Sequence, residues 1–187
     1  MSDSSGYIYD ENGINFNILK EIKEEKKLRI KEYIKLVPSA KYYDNPKEVW
    51  NITCDIALPC ATQNEIDLGI AKKLVENNVI AVAEGANMPC TLEATKYLIN
   101  HKVLYAPAKA ANAGGVLVSG LEMAQNSMRI SWSFMEVDNK LKEQMEKIFD
   151  NVYETSIKYS DKYNSVVGAN IAGFIKVSAA MRAQGIC

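Results

Sequence analysis

The sequence is poor in the residues on which metal and nucleophilic chemistry depends. It contains one histidine, His101, and four cysteines, Cys54, Cys60, Cys90 and Cys187. No CxxC pair and no histidine cluster occurs, so we predict no metal site. Serine or cysteine catalysis with a histidine partner would depend on His101. This residue ends a helical pattern and is expected at the surface or as a C-cap.

The sequence also lacks a charge surplus and a long apolar run. Its 22 Lys and Arg residues against 23 Asp and Glu residues give a net charge of −1, which favours neither nucleic acid nor anionic lipid as a partner. No apolar run approaches the roughly 18 residues of a membrane span, and the opening MSDSSG is too polar for a signal peptide. The expectation is a reduced, cytoplasmic protein.

Short apolar strands alternate with helices in the middle of the chain. Strands are predicted at 55–59, 79–83 and 103–105. Helices are predicted at 64–77, with Asn64 as the N-cap, and at 91–100. This alternation predicts parallel strands joined by right-handed crossovers.

Helical patterns flank this region. Residues 14–36 read as helical, although KEIKEEKK within them fits either a solvated helix or a helix–loop. After a loop at 37–53 and the strand region, three long helices are predicted, at 115–136, 137–160 and 168–183. The length suits one domain. We therefore predict an α/β fold with a small parallel sheet and extensive C-terminal helices.

All three strand exits carry small residues and a carboxamide or hydroxyl. They are CATQNE (60–65), EGANMP (84–89) and PAKAANAGG (107–115). Glycine and asparagine in a single turn are explained by positive φ angles alone. Because ligands bind beyond the carboxyl ends of parallel strands, three such exits in register favour a ligand site.

The carboxamides indicate what that ligand could be. Asn87 and Asn112 each offer two donors and an acceptor oxygen, which complement a nicotinamide carboxamide or a ribose hydroxyl. Ser119 follows Asn112 by about two helical turns. Its hydroxyl could donate to a ligand carboxylate or back to its own i−4 carbonyl, and the spacing does not separate these alternatives.

A dinucleotide site would need one feature that is missing. No GxGxxG phosphate-binding fingerprint occurs, and the similar run 111–115 follows the last strand, where the fingerprint belongs after the first. Either the ligand is smaller than a dinucleotide, or the front of the binding domain lies outside this sequence.

Four long segments carry a resemblance to a known family. CDIALPCATQNEIDL, AVAEGANMPCTLEAT, LYAPAKAANAGGVLVSGLEMAQNS and VVGANIAGFIKVSAAMRAQG, in this order, closely resemble glutamate dehydrogenase of the small-subunit hexameric type. The resemblance covers the C-terminal part of a subunit. It implies that residues 1–187 are a single partial Rossmann-like domain. The substrate domain, the first strand with its glycine-rich turn, and the catalytic residues would lie upstream, leaving none in this chain.

The resemblance implies NADP as the cofactor. Asp3 and Ser4 would read the adenosine ribose, while Lys23, Lys26 and above all Arg29 would meet the 2′-phosphate. Two departures loosen this assignment, since Leu28 replaces a glycine common in relatives and PKEVWNIT (46–53) is rearranged. Three further residues would line the adenosine–pyrophosphate side, namely Ala61, Thr62 and Gln63.

The same resemblance assigns the substrate side. Asn87 would contact the nicotinamide ribose, and Asn112 would face both the nicotinamide and the α-amino or keto end of the substrate. Val116 and Ser119 would hold the side-chain carboxylate. The implied activity is reversible oxidative deamination of L-glutamate to 2-oxoglutarate and ammonia with NADP(H) by a homohexamer. Alternatives are a related dehydrogenase for another amino acid, or a non-catalytic nucleotide-binding module.

Overall fold

The computed structural model describes residues 1–185, so Cys187 lies outside the described residues. By its internal contacts the chain divides into two compact units, an N-terminal unit (Met1–Thr53) and a C-terminal unit (Cys54–Cys187). The single domain predicted over residues 1–187 stays a prediction.

The N-terminal unit contains an antiparallel sheet that sequence patterns did not predict. Strands β1 (Ser2–Asp3), β2 (Gly6–Tyr9) and β3 (Lys41–Tyr43) pair in the order β1-β2-β3. Tyr7 pairs with Tyr43 across β2 and β3, and their rings stack with centroids 4.7 Å apart. Strand β3 has only three residues and is largely exposed, so it carries too little alternation to distinguish it from the predicted loop.

The helical region of this unit is interrupted. Helix α1 (Phe16–Lys20) continues as a π-helical turn to Glu25, and a 3₁₀ turn from Ile30 leads into helix α2 (Tyr33–Leu36). Of the two alternatives for KEIKEEKK, the helix–loop is therefore correct. The break contains Lys27 with a φ of 52°. The core of the unit on either side of the break consists of Ile8, Leu19, Ile22, Ile30, Tyr33 and Ala40.

The C-terminal unit contains the predicted parallel sheet. Strands β4 (Ile56–Ala57), β5 (Ala81–Ala83) and β6 (Leu104–Ala106) pair in the order β4-β5-β6. Helices α3 (Leu68–Glu76) and α4 (Leu92–Asn100) connect them. The α/β class, the three strands and the two crossover helices are confirmed.

One face of this sheet is buried. Ala57, Val82 and Tyr105 lie in one row of the register and are at most 3% exposed. The Tyr105 hydroxyl lies 3.0 Å from the hydroxyl of Thr95 in α4, so this row faces the crossover helices. The sheet therefore packs on α3 and α4 and sends its three carboxyl ends toward one edge.

Several predicted helix boundaries in this unit are wrong, including the start of the last helix at 168, which lies at Ser165. Helix α3 begins after Asp67, whose carboxylate accepts from the Ile70 N–H at 2.9 Å, whereas Asn64 lies in the preceding loop with a φ of 56°. The expected boundary at 136/137 is also misplaced. Up to residue 185, four helices follow the sheet: α5 (Ala108–Ala111), α6 (Gly114–Met128), α7 (Phe134–Tyr159) and α8 (Ser165–Gln184).

A capping box explains the position of the break before α7. Ser133 accepts from the Glu136 N–H, and the Glu136 carboxylate accepts in return from the Ser133 N–H at 2.7 Å. This exchange satisfies donors that a helix start otherwise leaves unpaired. Arg129, with a φ of 55°, ends α6. The Ser-x-x-Glu pattern of a capping box is present in the sequence at Ser133 and Glu136. The boundary prediction used the apolar pattern and not this signal.

Helix α8 bears on the expectation that the sequence contains no apolar run long enough to span a membrane. By length and composition, Ser165–Gln184 could cross a membrane: an 18-residue window has a mean hydropathy of 1.2, and 11% of it is buried. The expectation that no such run exists is therefore wrong. One helix that meets these criteria is weak evidence for a membrane protein, because core helices meet them too. Helix α8 packs along α7, where Ser156 Oγ donates to Val152 O at 2.9 Å and Asn164 O at 3.2 Å.

The packing of α8 on α7 depends on Gly168. A Cβ at Gly168 would lie 2.1 Å from Ser156 Oγ and 2.4 Å from Val152 O. We expect Gly168→Ala to lower the free energy of unfolding by about 1–3 kcal/mol through overpacking. Gly173→Ala on the same helix meets no atom within 4 Å and should raise it by up to about 1 kcal/mol. Urea unfolding would compare the two, and equal effects would contradict the packing argument.

Candidate functional site

Backbone hydrogen bonds connect the first two strand exits. The N–H groups of Gly85 and Ala86 both donate to Pro59 O, at 3.1 and 3.0 Å. Further along, Asn64 N donates to Met88 O at 3.0 Å and Ile66 N donates to Pro89 O at 2.8 Å. The loops 60–65 and 84–89 therefore run side by side.

A side chain connects the third exit to the second. Asn112 Nδ2 lies 3.3 Å from Gly85 O and 3.4 Å from Ala86 O and donates to both. At the base of the loops, the Glu84 N–H donates to Ala106 O at 3.0 Å. The structure thus brings the three loops together at one edge of the parallel sheet.

Gly85 is needed because the first two loops approach closely. A Cβ at this position would lie 2.4 Å from Cys60 Sγ and 3.3 Å from Cys60 Cβ. An alanine would require the Cys60 thiol to move or one loop to shift. The glycine of EGANMP therefore serves packing between loops, and its φ does not lie in the left-handed region.

The residues predicted for the adenosine–pyrophosphate side lie on the surface of the first loop. Ala61, Thr62 and Gln63 are all exposed. The N–H groups of Ala61 and Thr62 point to the Glu65 carboxylate, with distances of 3.3 and 3.4 Å to Oε2. A ligand that used these two N–H groups would have to replace Glu65.

The residues predicted for the nicotinamide and substrate share one region of the third loop and α6. Val116 and Ser119 lie in α6, whereas Asn112 is the C-cap of α5, two residues before α6 begins. All three are exposed, as is Asn87 in the second loop. Ser119 Oγ donates to Gly115 O at 3.2 Å. Of the two alternatives for this hydroxyl, the structure contains the back-bond.

The N-terminal unit holds the predicted 2′-phosphate residues, and Asp3 binds one of them, Lys23, among its four donors. Its Oδ1 accepts from the hydroxyl and N–H of Ser5 at 2.6 and 2.8 Å, and its Oδ2 accepts from Lys23 Nζ at 3.0 Å and Ile30 N at 2.8 Å. Burial alone would raise the pKa of Asp3. The four hydrogen bonds outweigh it and hold the pKa well below its ordinary value.

Of the remaining predicted residues in this unit, two lie together and one does not. Arg29 Nη1 donates to Ser4 Oγ at 2.5 Å, and both side chains are exposed. Lys26 instead pairs with Glu21 at 2.6 Å. Arg29 also lies outside the preceding helix, in extended backbone just before the 3₁₀ turn. The expectation that it belongs to that helix is wrong.

Sequence reasoning missed Glu84. This residue is 5% exposed, and its carboxylate accepts from Ala108 N at 2.7 Å and from Cys90 N at 3.2 Å. Burial raises the pKa of the neighbouring Cys90 thiol to about 12 and also raises that of the Tyr105 hydroxyl. The available signal was a carboxylate directly after the apolar strand VIAVA, where a buried charge needs donors.

His101 occupies the predicted C-cap position. His101 is the C-cap of α4, and its Nδ1 lies 2.8 Å from Tyr97 O. Within residues 1–185, no group of three or more His, Cys, Asp or Glu side chains could hold a metal ion.

Comparison with known proteins identifies the family. The family model described as glutamate/leucine/phenylalanine/valine dehydrogenase matches residues 1–185. The chain belongs to this family. A glutamate dehydrogenase from Bacteroides thetaiotaomicron is 54% identical over 99% of the chain, and an NADP-specific glutamate dehydrogenase from Helicobacter pylori is 49% identical over the same share. Other matching glutamate dehydrogenases are NAD-specific.

A solved structure agrees with the fold. The crystal structure of Plasmodium falciparum glutamate dehydrogenase superposes with a TM-score of 0.91 at 48% identity, covering all of this chain and 40% of that one. The chain likewise spans 42% and 43% of the length of the Bacteroides and Helicobacter relatives. The similarity therefore concerns less than half of such a dehydrogenase.

The hydrogen bonds of Asp3 predict a pH-dependent loss of stability. A depressed folded-state pKa contributes stability above the unfolded-state pKa, near 4, and that contribution is lost as pH falls toward the folded value. We expect Asp3→Asn to lower the free energy of unfolding by about 1–3 kcal/mol at pH 7, and the difference from wild type should narrow below about pH 4. Urea unfolding at several pH values would measure it. The exposed Asp44→Asn is the control, and a difference independent of pH would contradict the assignment.

Proposed function

We propose that the chain forms the cofactor-binding part of a glutamate dehydrogenase, which interconverts L-glutamate with 2-oxoglutarate and ammonia using a nicotinamide dinucleotide. The convergence of the three loops, held by the contact of Asn112 with Gly85 and Ala86, supports this most directly. Parallel sheets bind ligands at such an edge. Family membership supplies the reaction class.

The exposed groups at this edge fit a nicotinamide and an amino acid. Asn87 and Asn112 are neutral carboxamides that can hydrogen-bond a ribose or an amide without placing a charge beside the reacting carbon. When bound, the dinucleotide supplies hydride transfer. The protein side chains would orient the two reactants, which is the main protein contribution in such reactions. The proposal places no catalytic residue in this chain.

The geometry of the N-terminal unit favours NADP over NAD within this proposal. A free carboxylate beside the adenosine ribose would repel a 2′-phosphate, but Lys23 and three other donors already engage Asp3. Arg29 reaches Ser4 and has further guanidinium donors for a phosphate. Because relatives of both specificities exist, kinship does not decide the cofactor, and the proposal of NADP rests on these residues.

A second candidate is a dehydrogenase for an apolar amino acid, since the family name includes leucine, phenylalanine and valine. Ser119 favours glutamate as the substrate. Its hydroxyl can donate to the substrate carboxylate in place of the Gly115 carbonyl, whereas a substrate with an apolar side chain offers it no acceptor. A non-catalytic nucleotide-binding module is the third alternative.

We further propose, from kinship alone, that the complete protein is a homohexamer and lies in the cytoplasm. Mass measurement in solution would test the first part, and cell fractionation the second.

Substrate choice can be tested on the full-length protein. Wild type should oxidise glutamate and discriminate against norvaline, which has an apolar side chain of similar length. Ser119→Ala should lower kcat/KM for glutamate by about tenfold or more, since a hydrogen bond to a charged group contributes about 1.5–3 kcal/mol, and should leave norvaline oxidation within about twofold. The control is Ser127→Ala, an exposed serine of the same helix. Faster turnover of norvaline than glutamate would favour the second candidate.

Cofactor choice can be tested at Arg29. Arg29→Ala should raise KM for NADP(H) by about tenfold or more, because it removes a charged donor to the 2′-phosphate, and should leave KM for NAD(H) within about twofold. Lys26→Ala is the matched control, since Lys26 pairs with Glu21, and should have the smaller effect. Steady-state kinetics with both cofactors would measure the ratio, and an equal change for both would refute the role of Arg29.

A further inference from the structure

The carboxylate of Glu84 is buried at the centre of the three loops, although the roles above do not require it. It directly follows β5, and 5% of the residue is exposed. A buried carboxylate is costly unless several donors satisfy it. A buried charged side chain does not serve solubility, so a glutamate at this position needs a structural reason.

One oxygen of Glu84 fixes the third loop. Oε2 accepts from the N–H of Ala108 at 2.7 Å, and Ala108 is the first residue of the short helix α5. Asn112 is the C-cap of that helix. Because α5 is a single turn, anchoring its first N–H also limits where Asn112 can lie.

The other oxygen closes the second loop. Oε1 accepts from the N–H of Cys90 at 3.2 Å, so the carboxylate bridges the two ends of the segment 84–90, which contains Asn87. The Tyr105 hydroxyl lies 3.0 Å from the hydroxyl of Thr95 in α4. Burial and the neighbouring Glu84 carboxylate both raise the pKa of Tyr105.

A carboxylate suits this position better than a carboxamide. Both of its oxygens accept, and two N–H groups from different loops point at them. A glutamine would present one acceptor oxygen and one NH₂ group, so one of the two backbone donors would face another donor. Two strand exits would then no longer be held by a common group.

We propose that Glu84 is a positioning residue, which sets the loops of Asn87 and Asn112 relative to each other so that cofactor and substrate meet in the reactive orientation. This inference rests on the proposed function. Glu84 acts through the two asparagines and does not touch the ligands. Its loss should therefore affect orientation more than binding.

The test compares Glu84→Gln and Glu84→Ala with Ser156→Ala in the full-length protein. Ser156 is fully buried and hydrogen-bonded between α7 and α8, so its loss is a matched structural perturbation with no assigned role in binding. Urea midpoints would be measured for all variants. For glutamate oxidation, kcat and both KM values would be measured at a temperature at which every variant is folded.

We expect Glu84→Gln to lower kcat by about 100-fold and to change both KM values by less than about fivefold, because small errors of orientation cost rate more than affinity. Glu84→Ala should lower kcat further than Glu84→Gln does, because glutamine retains one acceptor oxygen and alanine retains none. Ser156→Ala should keep kcat within about twofold at a comparable shift in urea midpoint.

Two results would overturn the inference. If wild type oxidises glutamate and Glu84→Gln keeps a near-normal kcat, or loses activity only in proportion to its stability as Ser156→Ala does, Glu84 has no positioning role and the proposed function stands. If full-length wild type has no activity with glutamate, the proposed function fails and the role of Glu84 fails with it.

Discussion

The structure of the candidate site depends on one constraint, the meeting of three strand exits at one edge of a small parallel sheet. The strands themselves contain only two or three residues, so pairing within them cannot fix the loops. Hydrogen bonds between the loops do so, above all those from Gly85 and Ala86 to the single acceptor Pro59 O. Glycine at position 85 permits the two loops to lie this close, because a Cβ there would clash with the Cys60 side chain.

Both units use a carboxylate at a strand end in the same way. Asp3 ends β1 and accepts from Ser5, Lys23 and Ile30, whereas Glu84 follows β5 and accepts from Cys90 and Ala108. In each case the partners come from more than one chain segment. A charged acceptor forms stronger hydrogen bonds than a neutral one, so a single residue can order two segments.

Sequence patterns predicted those elements whose own residues determine them. The apolar runs of β4, β5 and β6 were readable because burial leaves a local signal, and the predicted helix 91–100 agrees with α4 to within one residue. Strand β3 was not readable, because three exposed residues gain their structure from pairing with β2. The position of Glu84 after an apolar strand signalled a buried carboxylate, but its donor Ala108 was not predictable, because Ala108 is distant in sequence and donates through its backbone. Tertiary contacts decide such cases.

Several polar groups at the loop edge already have partners within the protein, and this bears on ligand affinity. Ser119 donates to Gly115, Asn112 to Gly85 and Ala86, and the Ala61 and Thr62 N–H groups to Glu65. A ligand that takes over such a group gains only the difference between the new and the old hydrogen bond. In exchange, the loops are ordered before the ligand binds, which lowers the entropic cost of binding. Glu84 is buried, and its carboxylate binds the backbone N–H groups of Cys90 and Ala108. Ligand binding therefore leaves these hydrogen bonds in place. The site therefore combines exchangeable contacts at its surface with a permanent one beneath them, and orientation is set by the permanent contact.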